Sequence, residues 1–308
     1  TGAITAIGSN VKIRSSNITD HRIQGVSVIG SFTSLTDLTL DNVIISRNSL
    51  EKDSELKRNS KSAFILLSSA TLTANRVTIS EGYSLDVFLL GNTITAKMID
   101  IVIDSLSVFE SNRPIFHLSF SNVEITNMDC LSITGTFKLI ETTLNLKQVS
   151  LKQMIGTYDN QFIADMFSSS LTIQDFEFIG VEFSISASSP KPLISGQNSN
   201  LNMVRANFNN ARVGVNAIAI LNGQGNVLIS DSKFIYGGAI VDYQLFKFTD
   251  LNNIGINKCV FRGVESLITA VNLVHLLFVE NILLTNSLKK LIYIETPNDI
   301  TMVGNNFI

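Results

Sequence analysis

Apolar residues along this chain alternate in short bursts, and each burst breaks its own rhythm once. The segment LTLDNVIIS, Leu38 to Ser46, shows the unit. It is apolar at Leu38 and Leu40, polar at Asp41-Asn42, then apolar again at Val43 and Ile45. Alternation with period two is strand periodicity, one face buried and the other wet. The two-residue break shifts the alternation by one position, so a bend or bulge there keeps both halves facing one interior. Nearly the same nine residues return as LTANRVTIS, Leu72 to Ser80.

With some positions relaxed, the unit recurs along the whole chain. Its final apolar position falls at Ile13, Ile45, Ile79, Ile103, Ile125, Leu151, Phe178, Phe208, Phe234, Phe261, Leu284 and Phe307, in steps of 22 to 34 residues. A second apolar burst precedes most copies, as in FILL (Phe64 to Leu67), VFLL (Val87 to Leu90), AIAIL (Ala217 to Leu221), LFKF (Leu245 to Phe248) and LIYI (Leu291 to Ile294). Self-similarity at this period marks a solenoid, propeller or array. Leucine-rich repeats require an Asn within an L-x-x-L-x-L frame, and WD40 blades are longer with their own signature. A parallel β-helix fits: each repeat is one coil of two or three short strands, and each strand pairs with its equivalent in the next coil about 4.8 Å away. The expected fold is all-β, a single-stranded parallel β-helix solenoid of about 12 coils running through residues 1–308 as one continuous domain, itself part of a longer chain.

In coil length and column pattern the sequence resembles the right-handed parallel β-helix, or pectin-lyase-like, superfamily, over essentially the whole chain. The Asn/Ile/Ser-rich composition is also similar to that of large protist surface proteins. The first likeness implies a right-handed coil and a secreted protein.

Stacking the copies sorts residues into columns. Ile45, Ile79, Ile103, Ile125, Leu151, Phe178, Phe208, Phe234 and Phe261 form the expected core stack. A parallel apolar column reads Ala6, Leu38, Leu72, Ala96, Leu118, Leu144, Leu171, Leu201, Val227, Ile254, Leu277, Ile300. The column of Asn42 is polar: Asn10, Asn42, Arg76, Asp100, Asn122, Gln148, Asp175, Arg205, Asp231, Lys258, Asn281, Gly304. Asn tolerates left-handed backbone, which suits a coil corner. Within this column Arg76, Asp100, Asp175, Arg205, Asp231 and Lys258 predict a corner ladder of alternating charge, each exposed pair contributing about 0–1 kcal/mol.

Composition narrows the functions. The chain is 45% hydrophobic and 16% charged with a net charge of −3, and no basic stripe points to nucleic acid. No apolar run reaches the roughly 18 residues of a membrane helix. The chain opens at Thr1 without a basic n-region and apolar h-region, so any signal peptide is expected to have been removed already or never to have been there. The one dense charge run, EKDSELKRNSKS at 51–62, reads as a surface loop. Cys259 takes the inward Val43 position, and Cys130 lies five coils away at roughly 24 Å, beyond disulfide reach. Two free thiols are expected, at least one of them buried. Asn17-Ile18-Thr19 is the only N-glycosylation sequon, making Asn17 a candidate modification site in a secreted protein.

Chemistry is sparse. Hydrolases resembling polygalacturonase carry Asn-Thr-Asp, Asp-Asp, Gly-His-Gly and Arg-Ile-Lys, because glycoside hydrolysis needs paired carboxylates. Here Asn92-Thr93 precedes Ile94, Asp-Asp is absent, no glycine flanks His21, His117 or His275, and Arg22-Ile23-Gln24 lacks the second cation. No column stacks the carboxylates a calcium-dependent lyase would use. The histidines lack metal-ligand spacing, and Gly223, Gly225 and Gly237-Gly238 read as turn glycines. The sequence therefore predicts no catalytic residues, cofactor or metal. It points to a non-catalytic extracellular or cell-surface rod, a solenoid without an evident cap, that forms or decorates a fibre or filament through self-association or further segments of the same polypeptide. The alternatives are a polysaccharide lyase or hydrolase, betrayed by carboxylates clustered in a groove, and a glycan- or host-binding adhesin, betrayed by outward aromatic residues grouped on one face.

Overall fold

A computed structural model describes residues 4–6, 9–20, 22–24, 27–31, 36–47, 49–51, 63–81, 83–84, 87–104, 107–108, 114–133, 135–154, 163–179, 192–209, 217–235, 244–264, 266–284 and 291–308. Apart from Glu51, which ends the strand Ser49–Glu51, the charged run at 51–62 lies outside these residues, as do His21 and Gly237-Gly238.

The described chain is a parallel β-solenoid. Strands of four to six residues, such as Ala63–Ser68, Val87–Asn92, Pro114–Ser119 and Ala164–Phe167, belong to a 12-stranded sheet. Longer strands, including Thr36–Ser46, Ala70–Ser80 and Thr95–Asp104, build a 16-stranded sheet. A third, 4-stranded sheet links Arg22–Gln24, Ser49–Glu51, Tyr83–Ser84 and Ser107–Val108. All the pairings are parallel, and each joins a strand to its counterpart one repeat later. The register places Leu38 beside Leu72, Val43 beside Val77 and Ile45 beside Ile79. The near-repetition of nine residues is thus one rung written twice.

The polar break is a single left-handed residue. Ser15, Asn42, Arg76, Asp100, Asn127, Gln148, Asp175, Arg205, Asp231, Lys258, Glu280 and Gly304 occupy it in successive rungs, with φ between 45° and 68°. One residue at positive φ reverses which side the next residue faces, so apolar positions on both flanks point inward. The ladder continues through the corner: the amides of Asp231, Lys258 and Glu280 donate to Asn257, Val279 and Val303 carbonyls at 2.9–3.0 Å. A second left-handed column, from Ser69 through Thr93, Phe120, Glu141, Ser168 and Asn198 to Thr296, turns the chain between the short-strand and long-strand sheets.

These corners correct the register in three rungs. In the fifth, Ile103 pairs with Cys130 and Cys130 with Leu151, whereas Ile125 pairs with Met98 and Leu146 in the neighbouring column. Ile125 therefore leaves the core stack and Cys130 enters it. The spacing 0, 2, 5, 7 partly matches itself when shifted by five, so apolarity alone accepts either frame; the structure puts Asn127, not Asn122, at the bend. The same slip occurs in the first rung, where Ile18 takes the place expected for Ile13 and Ser15 that expected for Asn10. In the eleventh the shift is one residue: Leu276 and Leu283 face inward, Leu277 faces solvent, and Glu280 rather than Asn281 takes the corner.

The finished stack is Ile18, Ile45, Ile79, Ile103, Cys130, Leu151, Phe178, Phe208, Phe234, Phe261, Leu283, Phe307. Its phenyl rings lie 5.2–5.7 Å apart from Phe178 to Phe261. Phe116 and Phe137 stack at 5.0 Å behind the short-strand sheet. Such contacts fill the interior at the density of an organic crystal.

Candidate functional site

Three arrangements organise the polar groups. The first is the corner edge. Arg205 makes a bidentate pair with Asp175, Nε to Oδ1 at 2.5 Å and the terminal nitrogen to Oδ2 at 3.0 Å. This hydrogen bonding is the main reason that the Asp175 carboxyl titrates below its ordinary range. The expected ladder does not run on from this pair: Asp231 acts on Arg205 through its charge, and in the earlier rungs Arg76 reaches Asp41 at 2.9 Å while Asp100 accepts a hydrogen bond from the Asn127 amide at 2.6 Å. Lys258 approaches Glu280 at 3.9 Å. Asp20 and Arg47 form a further bidentate pair at 2.7 and 2.8 Å along another corner, which raises the Arg47 pKa. The corner ladder is thus a set of separate pairs with amides between them. All are exposed, so each contributes little.

The second arrangement lies inside. Just past the second corner, Ser121, Thr142, Ser169 and Ser199 form a buried hydroxyl ladder. Each hydroxyl donates to the carbonyl two residues before it, at 2.7–2.9 Å. The amides of Ile94, Ser121, Thr142 and Ser169 donate to the hydroxyl of the following rung at 3.1–3.3 Å. In the next rung the ladder gives way to Gly225, where an added Cβ would meet the Ser199 carbonyl oxygen at 2.2 Å. Past the first corner the column is apolar at Val43, Val77 and Ile101, then polar at Ser232, Cys259, Asn281 and Asn305. Cys259 Sγ donates to the Asn257 carbonyl at 3.2 Å, and its amide donates to Asn281 Oδ1 at 2.9 Å. Asn281 Nδ2 donates to Ile256 O at 2.9 Å, and Asn305 repeats the motif. Every buried polar atom in this ladder is matched, as low polarity demands.

Both cysteines are free and buried. Burial pushes the Cys130 thiol up, with help from the Asp129 charge, and raises Cys259 to about 12. Asn17 is exposed on the outer face of the strand Asn10–Thr19. His117 stands outward in register with Lys138 yet is only 8% exposed, and His275 lies 3.5 Å from Asp299. Among the described residues no three His, Cys, Asp or Glu side chains gather in a metal-binding group. No described helix is long and apolar enough to cross a membrane.

The third arrangement was not singled out by the sequence. On the outer face of the short-strand sheet, Lys138, Asp165, Ser195 and Ile220 follow one another in one column. Ile140, Phe167, Gln197 and Asn222 form the next. Together they line an open groove of about 370 Å³. Ser195 Oγ donates to Asp165 Oδ1 at 2.7 Å. Phe167 is 44% exposed. The only signal in the sequence was the outward half of TFKLI, ADMF, ISGQ and AILN, which is legible once the rungs are in register. The opposite, long-strand face carries Thr71, Thr95, Asn122, Thr143, Ser170, Asn200, Asn226 and Asn253 in one outward column. There Asn226 and Asn253 each donate to the preceding Asn, at 3.1 and 2.6 Å.

The architecture defines the chain as a parallel β-solenoid. Comparison with protein-family models, with curated proteins and with solved structures yields no match.

Proposed function

We propose that this chain is a non-catalytic, extracellular structural rod that builds or decorates a surface fibre through end-on or lateral association. The observation that carries this reading is the unbroken axial stack. Core columns, left-handed corners, a hydroxyl ladder and an amide ladder all serve to hold one rung on the next. At about 4.8 Å per rung, a stack of twelve strands is roughly 55 Å long, the length of a stiff spacer.

One surface supports association. On the long-strand face, Ile44 and Val102, each 43% exposed, interrupt a mainly hydroxyl- and amide-bearing surface. On that face Asp129 pairs with Lys152 at 3.5 Å rather than with a second carboxylate, and Glu124 stands in register between Lys97 and Asn145. This favours the structural reading over a polysaccharide-cleaving one. The rung pattern also supports including the chain among the right-handed pectin-lyase-like β-helices, as a member without their acid pair and similar in composition to protist surface proteins.

Sedimentation and electron microscopy test the proposal. Concentration-dependent assemblies are expected, weakened by Val102→Asp. A monodisperse monomer that depolymerises pectin-type polymers would overturn it.

A further inference from the structure

Past the first corner, the outer face of the long-strand sheet carries charge that reverses along the axis. Two outward columns cross seven rungs there. One reads Val102, Asp129, Ser150, Glu177, Asn207, Lys233, Val260. The other, two residues further along each strand, reads Asp104, Leu131, Lys152, Ile179, Asn209, Ile235, Arg262. Read from their two ends, both columns are complementary. Val102 answers Val260 and Asp129 answers Lys233; Asp104 answers Arg262 and Leu131 answers Ile235. The corner column beside them follows the same rule, with Asp100 answered by Lys258. Asp100, Asp104 and Asp129 thus gather in two adjacent rungs. Lys233, Lys258 and Arg262 gather in two rungs roughly 24 Å further on, with Asp231 the one carboxylate among them. The rungs between are balanced: Lys152 lies 3.5 Å from Asp129, and Arg205 holds Asp175.

We infer that this face is a two-fold interface with a second copy of the chain, the two solenoids packed antiparallel about the rung of Glu177 and Ile179. The pairing deepens the lateral association proposed above and rests on it. An isologous contact requires a surface that complements itself, and the reversal of charge supplies one. Turned end for end, the acidic rungs of one copy face the basic rungs of the other. Asp104 stands opposite Arg262, Asp129 opposite Lys233 and Asp100 opposite Lys258, which in its own chain lies 3.9 Å from Glu280. Val102, 43% exposed, meets Val260, and Leu131, 37% exposed, meets Ile235. Ile179 meets its own copy on the axis. Lys152 faces Asn209, Ser150 faces Asn207, Gln148 faces Arg205 and Asn127 faces Asp231, so each of these polar groups meets an amide. A parallel arrangement would instead set acid against acid and base against base. One contact opposes the pairing, because Glu177 meets Glu177 on the axis. Asp175 also meets its copy, but each is already held by Arg205. The patch is roughly 29 Å by 13 Å, smaller than the roughly 800 Å² per partner of a standard interface. Pairing is therefore weak, and its charges set orientation more than strength.

Sedimentation velocity over a range of protein concentrations tests the pairing. The parent should dimerise at low salt and dissociate in about 0.5 M salt, where charges are screened within a few ångströms. Asp104→Arg and Arg262→Asp each turn two symmetric attractions into repulsions, and each should weaken the dimer about tenfold. Combining the two should restore it to within about twofold of the parent. Within one chain these residues are six rungs, roughly 29 Å, apart, well beyond a Debye length of about 10 Å, so only contact between copies can produce the rescue. Asp104→Arg with Lys258→Asp keeps the same net charge as that double variant and should not recover. Glu177→Gln should tighten the dimer about twofold by removing the like charge on the axis. Thermal melting confirms that each variant is folded. A parent that stays monomeric at low salt would overturn the pairing. So would a double variant as weak as its singles, or a Glu177→Gln dimer weaker than the parent. Larger assemblies indifferent to all these changes would overturn the pairing and leave the rod standing. Dimers that obey the swap and grow no further would uphold the pairing and overturn the fibre.

Discussion

A buried polar residue here acts on the rung beside it, and Cys259 and Asn281 show how. Asn281 Oδ1 accepts the Cys259 amide, so Asn281→Leu leaves a buried donor unmatched and should cost about 1–3 kcal/mol; chemical denaturation measures it. Cys259→Ser should be tolerated, because Ser232 already occupies the same position one rung earlier and donates to Ser230 O at 2.7 Å. The thiol also sets a pH dependence. Burial raises its folded pKa to about 12, above that of an exposed thiol, so folding favours the protonated form. That contribution is complete below the unfolded pKa and is lost as pH rises towards about 12. Alkaline unfolding should therefore be less steep in Cys259→Ser than in the parent. Neither thiol should react with a disulfide reagent until the chain unfolds, since burial withholds the thiolate. None of this ladder could be read from hydrophobicity. Hydrophobic alternation assigns polar residues outward, so it places Asn281 at the corner and Leu284 in the core.

At the scale of the strand, one left-handed residue sets the register of everything after it. Alternation in the sequence revealed the strands, and the two-residue break revealed a bend. What it left open was which residue bends, because a pattern of two apolar pairs matches itself when shifted by five. The polar side chain at positive φ settles this: Asn127 and Ser15 bend, and Ile125 and Ile13 fall into the column beside the one expected. A left-handed conformation disfavours side-chain branching at Cβ. Gln148 is exposed at φ 55°. Gln148→Val should destabilise by about 1 kcal/mol or more, while Gln148→Gly should be close to neutral, its relief of strain offset by unfolded-state entropy. Thermal melts of the pair separate conformation from contact. The groove residues escaped for a different reason. Lys138, Asp165 and Gln197 are ordinary outward strand residues with nothing unusual between neighbours; only stacking at the right register brings them to one place.

For the whole molecule the decisive property is that each rung touches only the rungs beside it. Stability then approximates a sum of rung terms and nearest-neighbour interfaces, unlike a globular core in which a defect is shared. Phe208 sits mid-stack, its ring 5.7 Å from Phe178 and 5.3 Å from Phe234. Phe208→Ala should cost about 3–5 kcal/mol. That loss should be local. Hydrogen exchange should accelerate in the strands Ser170–Ile179, Asn200–Asn209 and Lys233–Ile235. Amides of Ala70–Ser80 and Thr95–Asp104 should keep parental protection. Equilibrium unfolding should broaden or split as the two flanks uncouple. A uniform loss of protection from Ala70 to Phe307 would instead show a single cooperative unit. It would also remove the physical basis for a rod whose segments bear on one another only through their faces.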